Sequence, residues 1–259
     1  MELKYYLKTL NGLANTYKID KPYLVGGIPR DVYLGIPNIK TTDVDITTNS
    51  SDSLRLGVLF ADKINEVFEV AEDGHVTVFA QQYDFDFSSN FVSEGVLNYL
   101  DGKAKGFEEV YSRDFTMNTL HQDISTGKIM DPTGMGFQDI KNKIIRTPVP
   151  AEITLTDDPR RIYRVINLAA RYDFDVDPDI INFAKNNPDI FTAQNIKDKY
   201  AVVKLNKALV ENEEKVMSLL KEMNLFKKVP LSGRFKDLLI SKKHLAEYLA
   251  NGSIDSIVE

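Results

Sequence analysis

The spacing of apolar residues changes once along this chain, and the change limits the architectures that the chain can adopt. In the first part, residues 43–47, 75–82 and 83–88 alternate between apolar and other side chains, as strands with one buried face do. From about residue 156 onward, apolar residues return every three or four positions, which is the spacing of amphipathic helices. The sequence therefore predicts an α+β region followed by an all-helical region.

Prolines, glycines and polar runs divide the chain further. Pro148 and Pro150 mark a domain boundary near residue 148, and the polar, glycine-containing residues 89–106 are expected to form a long loop. The predicted domains are a head at residues 1–148, a helical neck at 149–226 and a short C-terminal helical tail at 227–259. The predicted helices span residues 2–18, 28–34, 51–60, 157–172, 178–186, 196–210 and 212–225.

Composition excludes several kinds of site. The 259 residues include no cysteine, and the three histidines are far apart in sequence, so neither a disulfide nor a zinc site is expected. Carboxylates would have to hold any metal ion, which favours a hard cation such as Mg²⁺. No apolar run reaches the roughly 20 residues of a membrane span, and no signal-peptide pattern is seen. The net charge of −6 argues against broad nucleic-acid binding, and a soluble, cytoplasmic protein is expected.

Two aspartates on one predicted strand form the first candidate site. Asp43 and Asp45 are two residues apart, so their side chains would leave the strand on the same face. Two carboxylates this close repel one another unless a cation neutralises them, and two-metal phosphoryl transfer uses such a pair. Asp84 and Asp86 repeat the spacing on a nearby strand, and either could supply a third carboxylate. Taken alone, the pattern is short and common and is more typical of a solvated strand face.

A pair of glycines forms the second candidate site. Gly26 and Gly27 follow a short apolar strand and precede a predicted helix. Glycines let a backbone approach a ligand closely, and a helix N-terminus attracts phosphate. Arg30, one turn into the helix, could reach the same phosphates. A plain tight turn would have the same glycines, but their position about seventeen residues before Asp43 favours a phosphate site.

Four motifs resemble those of the class II tRNA nucleotidyltransferase and bacterial poly(A) polymerase family, and they occur in the family's order. They are LVGGIPRDVYLG at residues 24–35 with TDVDIT at 42–47, SRDFTMN at 112–118, DPTG and GFQDI within 131–140, and DDPRRIYR at 157–164. The resemblance covers about residues 22–175. It implies a polymerase-β-type nucleotidyltransferase head, with a small mixed sheet and helices, followed by an all-helical neck.

The resemblance also implies a role for each motif. The catalytic carboxylates would be Asp43, Asp45 and Asp86, and the metal ligands Asp43 and Asp45, with two Mg²⁺ ions as cofactors. The other implied contacts are Gly26, Gly27 and Arg30 with the triphosphate, Arg113, Asp114 and Asn118 with ribose and phosphate, and Asp158, Arg161 and Arg164 with the base. The substrates would be ATP and CTP, and the acceptor the 3′ end of tRNA or another RNA.

The base-reading role of Asp158 and Arg161 can be argued from their chemistry. The two residues are three apart, so on one helix they would share a face. A carboxylate accepts hydrogen bonds and a guanidinium donates them, which suits the amino donor and ring-nitrogen acceptor of cytosine and adenine. Guanine and uracil present a protonated ring nitrogen beside a carbonyl and would leave groups unpaired. The competing interpretation is a helix cap at Asp158 with a surface ion pair, and Arg160 is expected to point elsewhere.

Two departures from the family pattern concern the acceptor. Residues 86–91 lack the arginine that the family carries after its third carboxylate. Family members continue into body and tail domains, whereas about thirty residues follow the predicted neck here. Those residues could form a reduced acceptor-binding surface or a solvated terminal helix. The oligomeric state is not indicated by any pattern in the sequence.

Three functions follow from these patterns. The first is addition of CMP, AMP or both to tRNA 3′ ends, that is, CCA addition or repair. The second is the same chemistry on another acceptor, as in RNA polyadenylation. The third is a nucleotide or RNA binder without activity, which the intact Asp43, Asp45 and glycine pair argue against.

Overall fold

The computed structural model describes residues 2–36, 42–72, 74–88, 92–104, 106–191 and 198–225. The chain divides into two compact units, Met1–Lys141 and Asn142–Glu259. The sequence had placed the head–neck boundary near residue 148, a few residues further along. The predicted tail at 227–259 lies outside the described residues.

A mixed seven-stranded sheet forms the centre of the first unit. Its strands are β1 (Tyr23–Leu24), β2 (Asp43–Thr47), β3 (Phe68–Val70), β4 (Val76–Ala80), β5 (Tyr83–Phe87), β6 (His121–Asp123) and β7 (Ile129–Met130). Their order across the sheet is β3-β4-β5-β2-β1-β6-β7. The central neighbours β2 and β5 run parallel, and the other described pairs are antiparallel. The predicted α+β fold with a mixed sheet is therefore confirmed.

Six α-helices lie within the described residues around this sheet, and one of them corrects the sequence interpretation. They are α1 (Leu3–Tyr17), α2 (Gly27–Tyr33), α3 (Asp52–Ile64), α4 (Glu94–Leu100), α5 (Glu108–Tyr111) and α6 (Gly136–Asn142). The loop predicted at 89–106 is wrong at its centre, where α4 lies. Ser93 caps that helix by accepting a hydrogen bond from the Val96 backbone N–H at 3.3 Å. Val96 and Leu100 lie one turn apart on this helix, and both side chains are buried.

The core of the first unit fixes which way the central strands face. Val44 and Ile46 of β2 and Phe85 of β5 are completely buried. Helices α1 and α3 cover them with Tyr6 and Phe60, whose rings meet that of Phe85 at centroid distances of 5.3 and 5.0 Å. Such edge-to-face pairs add about 0.5–1.5 kcal/mol each beyond the area they bury. Because these residues turn inward, the alternate residues of β2 and β5 are turned to the opposite face.

The second unit is helical apart from a short parallel ladder. Its elements are β8 (Ile144–Ile145), α7 (Ala151–Asp157), α8 (Arg161–Tyr172), β9 (Asp175–Val176), α9 (Pro178–Asn186) and α10 (Asp198–Glu222). The α10 backbone leaves helical geometry at Asn212, with φ −157° and ψ 90°, where the sequence predicted a break between two helices. Within the described ranges, no helix is both long and apolar enough to cross a membrane.

The predicted helix at 157–172 is wrong at its start, where Pro159 divides it. A proline disfavours helical geometry in the residue before it. Asp158 accordingly has an extended backbone, with φ −144° and ψ 94°, after the end of α7. Helix α8 begins only at Arg161. Asp158 and Arg161 therefore do not share a helix face, contrary to the sequence argument.

Candidate active site

Four aspartates lie on one face of the two central strands. Asp43 of β2 pairs in register with Asp84 of β5, and Asp45 pairs with Asp86. Neighbouring strands are about 4.8 Å apart, so the four carboxylates form a compact acidic surface. Like charges directly opposite one another destabilise a sheet. A bound cation would remove that repulsion, which distinguishes this arrangement from an ordinary solvated strand face.

Asp86, the predicted third carboxylate, contacts Thr77 and His75. Its Oδ1 accepts a hydrogen bond from the Thr77 hydroxyl at 2.6 Å and lies 3.6 Å from Nε2 of His75. Burial raises the pKa of the Asp86 carboxyl above its ordinary value, while Thr77 and His75 act in the opposite direction and Asp43 and Asp84 add to the rise. Thr77 of β4 and His75, which directly precedes that strand, were both missed in the sequence, because the pairing of β4 with β5 brings them to Asp86.

The glycine turn lies directly against the carboxylate surface. Gly26 has φ +72° and ψ −128°, a conformation open almost only to glycine. A Cβ atom on Gly26 would collide with Oδ2 of Asp45. The backbone of Val25 also donates a hydrogen bond to the Asp45 carbonyl at 3.0 Å. The two sites predicted separately from the sequence are therefore one site.

Arg30 joins a buried polar network next to this turn. Its Nε donates to Oδ1 of Asp31 at 2.8 Å, and its Nη1 donates to Oδ1 of Asn118 at 2.7 Å. Asn118 in turn donates to Oδ1 of Asp114 at 2.9 Å. All four side chains are buried, so their polar atoms depend on one another rather than on water. The network connects the α2 motif to the 112–118 motif, and Asp31 is the member that was given no role from the sequence.

Arg113 is held by a different carboxylate. Its Nη2 donates to Oε1 of Glu109 at 3.0 Å, and the Ser88 hydroxyl donates to the same oxygen at 3.0 Å. Within the described structure, the buried Nε of Arg113 makes no hydrogen bond. A buried donor of this kind is costly unless a ligand accepts from it. Glu109 was also missed in the sequence, although it lies only four residues before Arg113.

The donor set fits a hard cation. Among the described residues, no group of three acidic, histidine or cysteine side chains is close enough to hold a metal ion by itself. Mg²⁺ commonly binds one or two carboxylates and completes its coordination shell with water and substrate phosphates. Asp43 and Asp45, beside a turn that only glycine can form, suit an ion that binds together with a triphosphate.

His121 should make the stability of the fold depend on pH. The ring is completely buried; Nδ1 donates to the Thr119 carbonyl at 2.9 Å, and Nε2 lies 2.9 Å from the side-chain amide of Asn49. Burial, together with the positive charge of Arg113, lowers its pKa from 6.5 to about 4. Between these values the unfolded chain binds a proton that the folded chain does not. Stability is thus complete above pH 6.5 and falls by up to about 3 kcal/mol as the pH approaches 4.

Urea unfolding at a series of pH values measures this loss. In His121→Gln the fall in unfolding free energy between about pH 6.5 and pH 4 should become shallower, because the group that binds the extra proton is gone. Proton NMR of the histidine ring resonances, assigned by comparison with the variant, gives the pKa directly. A His121 resonance that titrates near 6.5 would contradict the prediction.

In the second unit, the side-chain carboxylate of Asp158 binds Arg160 and not the side chain of Arg161. Nε and Nη2 of Arg160 donate to the two oxygens of Asp158 at 2.7 and 3.0 Å, and the Arg160 backbone N–H donates to Oδ1 at 3.1 Å. The expectation that Arg160 points elsewhere is therefore wrong. The reason is the extended backbone before Pro159, which places Asp158 beside its second neighbour. The Arg160 guanidinium also lies 5.9 Å from the centre of the Tyr200 ring.

The remaining predicted base readers begin helix α8. Nη1 of Arg161 donates to the Thr154 carbonyl of α7 at 3.3 Å. Arg164 is exposed and lies one turn later, so it shares a face with Arg161. Asp158 follows α7, and Arg161 and Arg164 lie on α8. The three predicted base-reading residues therefore come from consecutive segments of the second unit.

Comparison with known proteins finds similar sequences for much of the chain. Residues 22–146 match the family model described as the Poly A polymerase head domain. The tRNA nucleotidyltransferase cca2 of Schizosaccharomyces pombe is 33% identical over 186 residues, which are 61% of this chain and 37% of that protein. The CCA-adding enzyme of Staphylococcus epidermidis is 28% identical over 242 residues, 88% of this chain and 55% of that one. The part of the chain at residues 22–146, just under half of its length, is therefore similar to the Poly A polymerase head domain.

Solved structures of the family agree in fold. The CCA-adding enzyme of Bacillus stearothermophilus, crystallised with CTP, superposes with a TM-score of 0.69 at 24% identity. The match covers 95% of this chain and 58% of that one. The chain spans about half or less of the length of the curated relatives named here.

Proposed function

We propose that this chain is a template-independent nucleotidyltransferase that adds CMP and AMP, from CTP and ATP, to the 3′ end of tRNA. The observation that carries the proposal is the acidic surface of β2 and β5 with the Gly26 turn against Asp45. A phosphate-binding turn beside paired carboxylates is the arrangement that two-metal nucleotidyl transfer requires. Relatives described as CCA-adding enzymes support the choice of tRNA as acceptor.

In this proposal Asp43 and Asp45 hold two Mg²⁺ ions, which would supply an activated acceptor hydroxyl and neutralise the triphosphate charge. Asp86, paired with Asp45 in register and oriented by Thr77, is the third carboxylate in preference to Asp84. The hydrogen bond from the Thr77 hydroxyl would hold the Asp86 carboxylate in the orientation in which it faces the acceptor hydroxyl.

The remaining residues of the first unit bind the nucleotide in this proposal. Gly26 and Gly27 expose backbone N–H groups to the phosphates. Arg30 keeps the turn in place through Asp31 and Asn118, and its positive charge lies beside the phosphates in this proposal. The buried Nε of Arg113 donates to the ribose or a phosphate.

Base selection is assigned to the start of α8. An ionised carboxylate has about four acceptor positions, and three of those on Asp158 are taken by Arg160. The position left on Oδ2 can accept the amino group of cytosine or adenine, while Arg161 donates to the ring nitrogen. Guanine and uracil place a carbonyl where the amino group would lie, at a cost of about 1–3 kcal/mol for each lost pairing.

Arg160 is expected to position Asp158, which can be tested by removing the guanidinium. Arg160→Leu should raise KM for CTP and ATP about fivefold and increase UTP incorporation by a similar factor, which corresponds to about 1 kcal/mol. The maximal rate should change little, because the reacting groups lie elsewhere. Arg160→Lys, which keeps the charge and one donor, should restore part of the discrimination. Equal incorporation ratios in all three proteins would exclude a positioning role.

The assay that tests the function uses tRNA without its CCA end and each labelled triphosphate in turn. Incorporation of CTP and ATP, with little UTP or GTP, is the expected result. Addition of many AMP residues to generic RNA would favour a poly(A) polymerase, which the description of the matched head domain makes the second candidate. Equal use of all four triphosphates would contradict the role of Asp158 and Arg161, and no transfer at all would favour a binding protein.

A further inference from the structure

A groove on the outer side of α1 and α3 has the chemistry of a polynucleotide site. It has a volume of about 480 Å³, within the usual range of ligand pockets. Tyr5 and Tyr17 lie at its two ends and are 51% and 43% exposed. Lys8 of α1 and Lys63 of α3 also line it. Exposed rings can stack on the bases of a single strand while neighbouring lysines bind its phosphates.

The local charge of the groove is opposite to that of the whole chain. The net charge of the chain is −6, yet no acidic residue is among the described residues that line the groove. Neither Lys8 nor Lys63 has an ion-pair or hydrogen-bond partner in the described part of the chain. Two lysines without partners, in an otherwise acidic protein, favour an anionic ligand.

The aromatic rings are spaced for a ligand longer than one nucleotide. Tyr5 and Tyr17 are twelve residues apart on α1, which corresponds to about 18 Å along the helix. The Tyr5 ring is held edge-on against the buried Tyr6 ring, with centroids 5.6 Å apart, so its orientation is fixed. Every base has a flat face that can stack on tyrosine, and lysines track the phosphates of a single strand.

The floor and walls of the groove are suited to sugar contacts. Gly12 has no side chain, and no atom of the described part of the chain lies within 4 Å of the position that its Cβ would occupy. The hydroxyls of Thr9 and Thr16 donate to helix carbonyls at 3.0 and 2.8 Å, which leaves their oxygens as acceptors. A ribose 2′-hydroxyl is a donor that could use them, whereas DNA has none.

We propose that this groove binds a short single-stranded segment of RNA, with bases stacked on Tyr5 and Tyr17 and phosphates on Lys8 and Lys63. The inference is independent of the proposed transfer reaction, because binding here needs neither a triphosphate nor the carboxylates of β2. It places an RNA contact on the first unit in addition to the 3′ end that reacts.

Binding of a fluorescein-labelled 12-nucleotide oligoadenylate, measured by anisotropy without metal ion or triphosphate, tests the groove. The double variant Lys8→Glu/Lys63→Glu should bind at least about tenfold more weakly, with a shallower dependence on salt, since each lost phosphate contact removes about 0.7 from the slope. The matched control is Lys141→Glu, at another exposed lysine without a described partner. Unchanged affinity in the double variant, or an equal loss in the control, would overturn the proposal.

Two further variants separate the groove from general effects of charge. Gly12→Leu fills the floor with a better helix former, so it should raise the melting temperature while weakening the oligonucleotide complex. The chain has no tryptophan, so Tyr17→Trp creates a single emitter whose fluorescence should be quenched when a base stacks on it. Absence of quenching at saturating oligonucleotide, or full affinity in Gly12→Leu, would argue against stacking in this groove and for a protein partner instead.

The same experiments distinguish this inference from the proposed function. Asp45→Asn should lose transfer but keep full oligonucleotide affinity, because it lies outside the groove. Wild-type protein that binds through the groove but transfers no nucleotide would contradict the proposed function alone. Active protein whose RNA affinity ignores the groove variants would contradict this inference alone.

Discussion

Replacing Asp45 with asparagine is expected to lower kcat/KM for nucleotide addition at least about 100-fold, equivalent to roughly 3 kcal/mol of barrier. The substitution keeps the shape of the side chain but removes one of the two charges proposed to hold metal. The fold should be retained, since Val44 and Ile46 on the other face of β2 provide the packing. Removal of one of four neighbouring negative charges should leave the melting temperature equal or higher.

The measurement is incorporation of labelled CTP into tRNA that lacks its 3′ end, with the melting temperature of each protein determined in parallel. Glu69→Gln, an exposed residue of the edge strand β3, removes one carboxylate from the same sheet and serves as the control. The control should transfer at the wild-type rate. An Asp45→Asn protein with more than a tenth of wild-type activity would show that the acidic surface has no catalytic part. Asp84→Asn and Asp86→Asn, compared with each other, assign the third carboxylate.

Gly26→Ala is expected to reduce both stability and activity. A non-glycine residue at φ +72° costs about 1–3 kcal/mol of unfolding free energy. The new methyl group would also meet Oδ2 of Asp45, so the carboxylate or the turn must move. A displacement of about 1 Å at reacting groups can reduce the rate a hundredfold, and a loss of that size in kcat/KM is expected here.

Gly35→Ala separates the two effects of that substitution. Gly35 has φ +70°, yet none of the described residues lies within 4 Å of the position that its Cβ would take. Its replacement should therefore produce backbone strain without disturbing a carboxylate, and transfer should continue near the wild-type rate. If Gly26→Ala and Gly35→Ala had equal kcat/KM, the contact between Gly26 and Asp45 would have no functional meaning.

The strands and the carboxylate pair could be predicted because they depend on local patterns. Alternation in β2, β4 and β5 is a property of a few consecutive residues, and the structure has these strands within two residues of their predicted ends. The α4 helix was missed because it has only seven residues and contains a glycine, which is a poor helix former. The start of α8 was missed because one proline overrode a helical pattern that continued on both sides of it.

Side-chain partners were harder to predict than elements. The Thr77 hydroxyl of β4 donates a hydrogen bond to Asp86 on the neighbouring strand β5. Arg30 donates to Asn118, which is 88 positions away along the chain. No local pattern contains such pairs, since they depend on strand order and on how α2 packs. The partner of Asp158 was also hard to predict. The backbone of Asp158 is extended, and this single feature brings Arg160 rather than Arg161 to its carboxylate.

The sequence by itself determined the α+β architecture, the shared face of Asp43 and Asp45 and the family motifs, because each is encoded in residues close together along the chain. Only the tertiary structure placed Asp84 and Asp86 beside that pair, put Gly26 against Asp45 and gathered Lys8 and Lys63 in one groove. The physical reason is that strand pairing and helix packing join segments tens of residues apart. Such contacts result from burial of the whole core, which no short segment specifies.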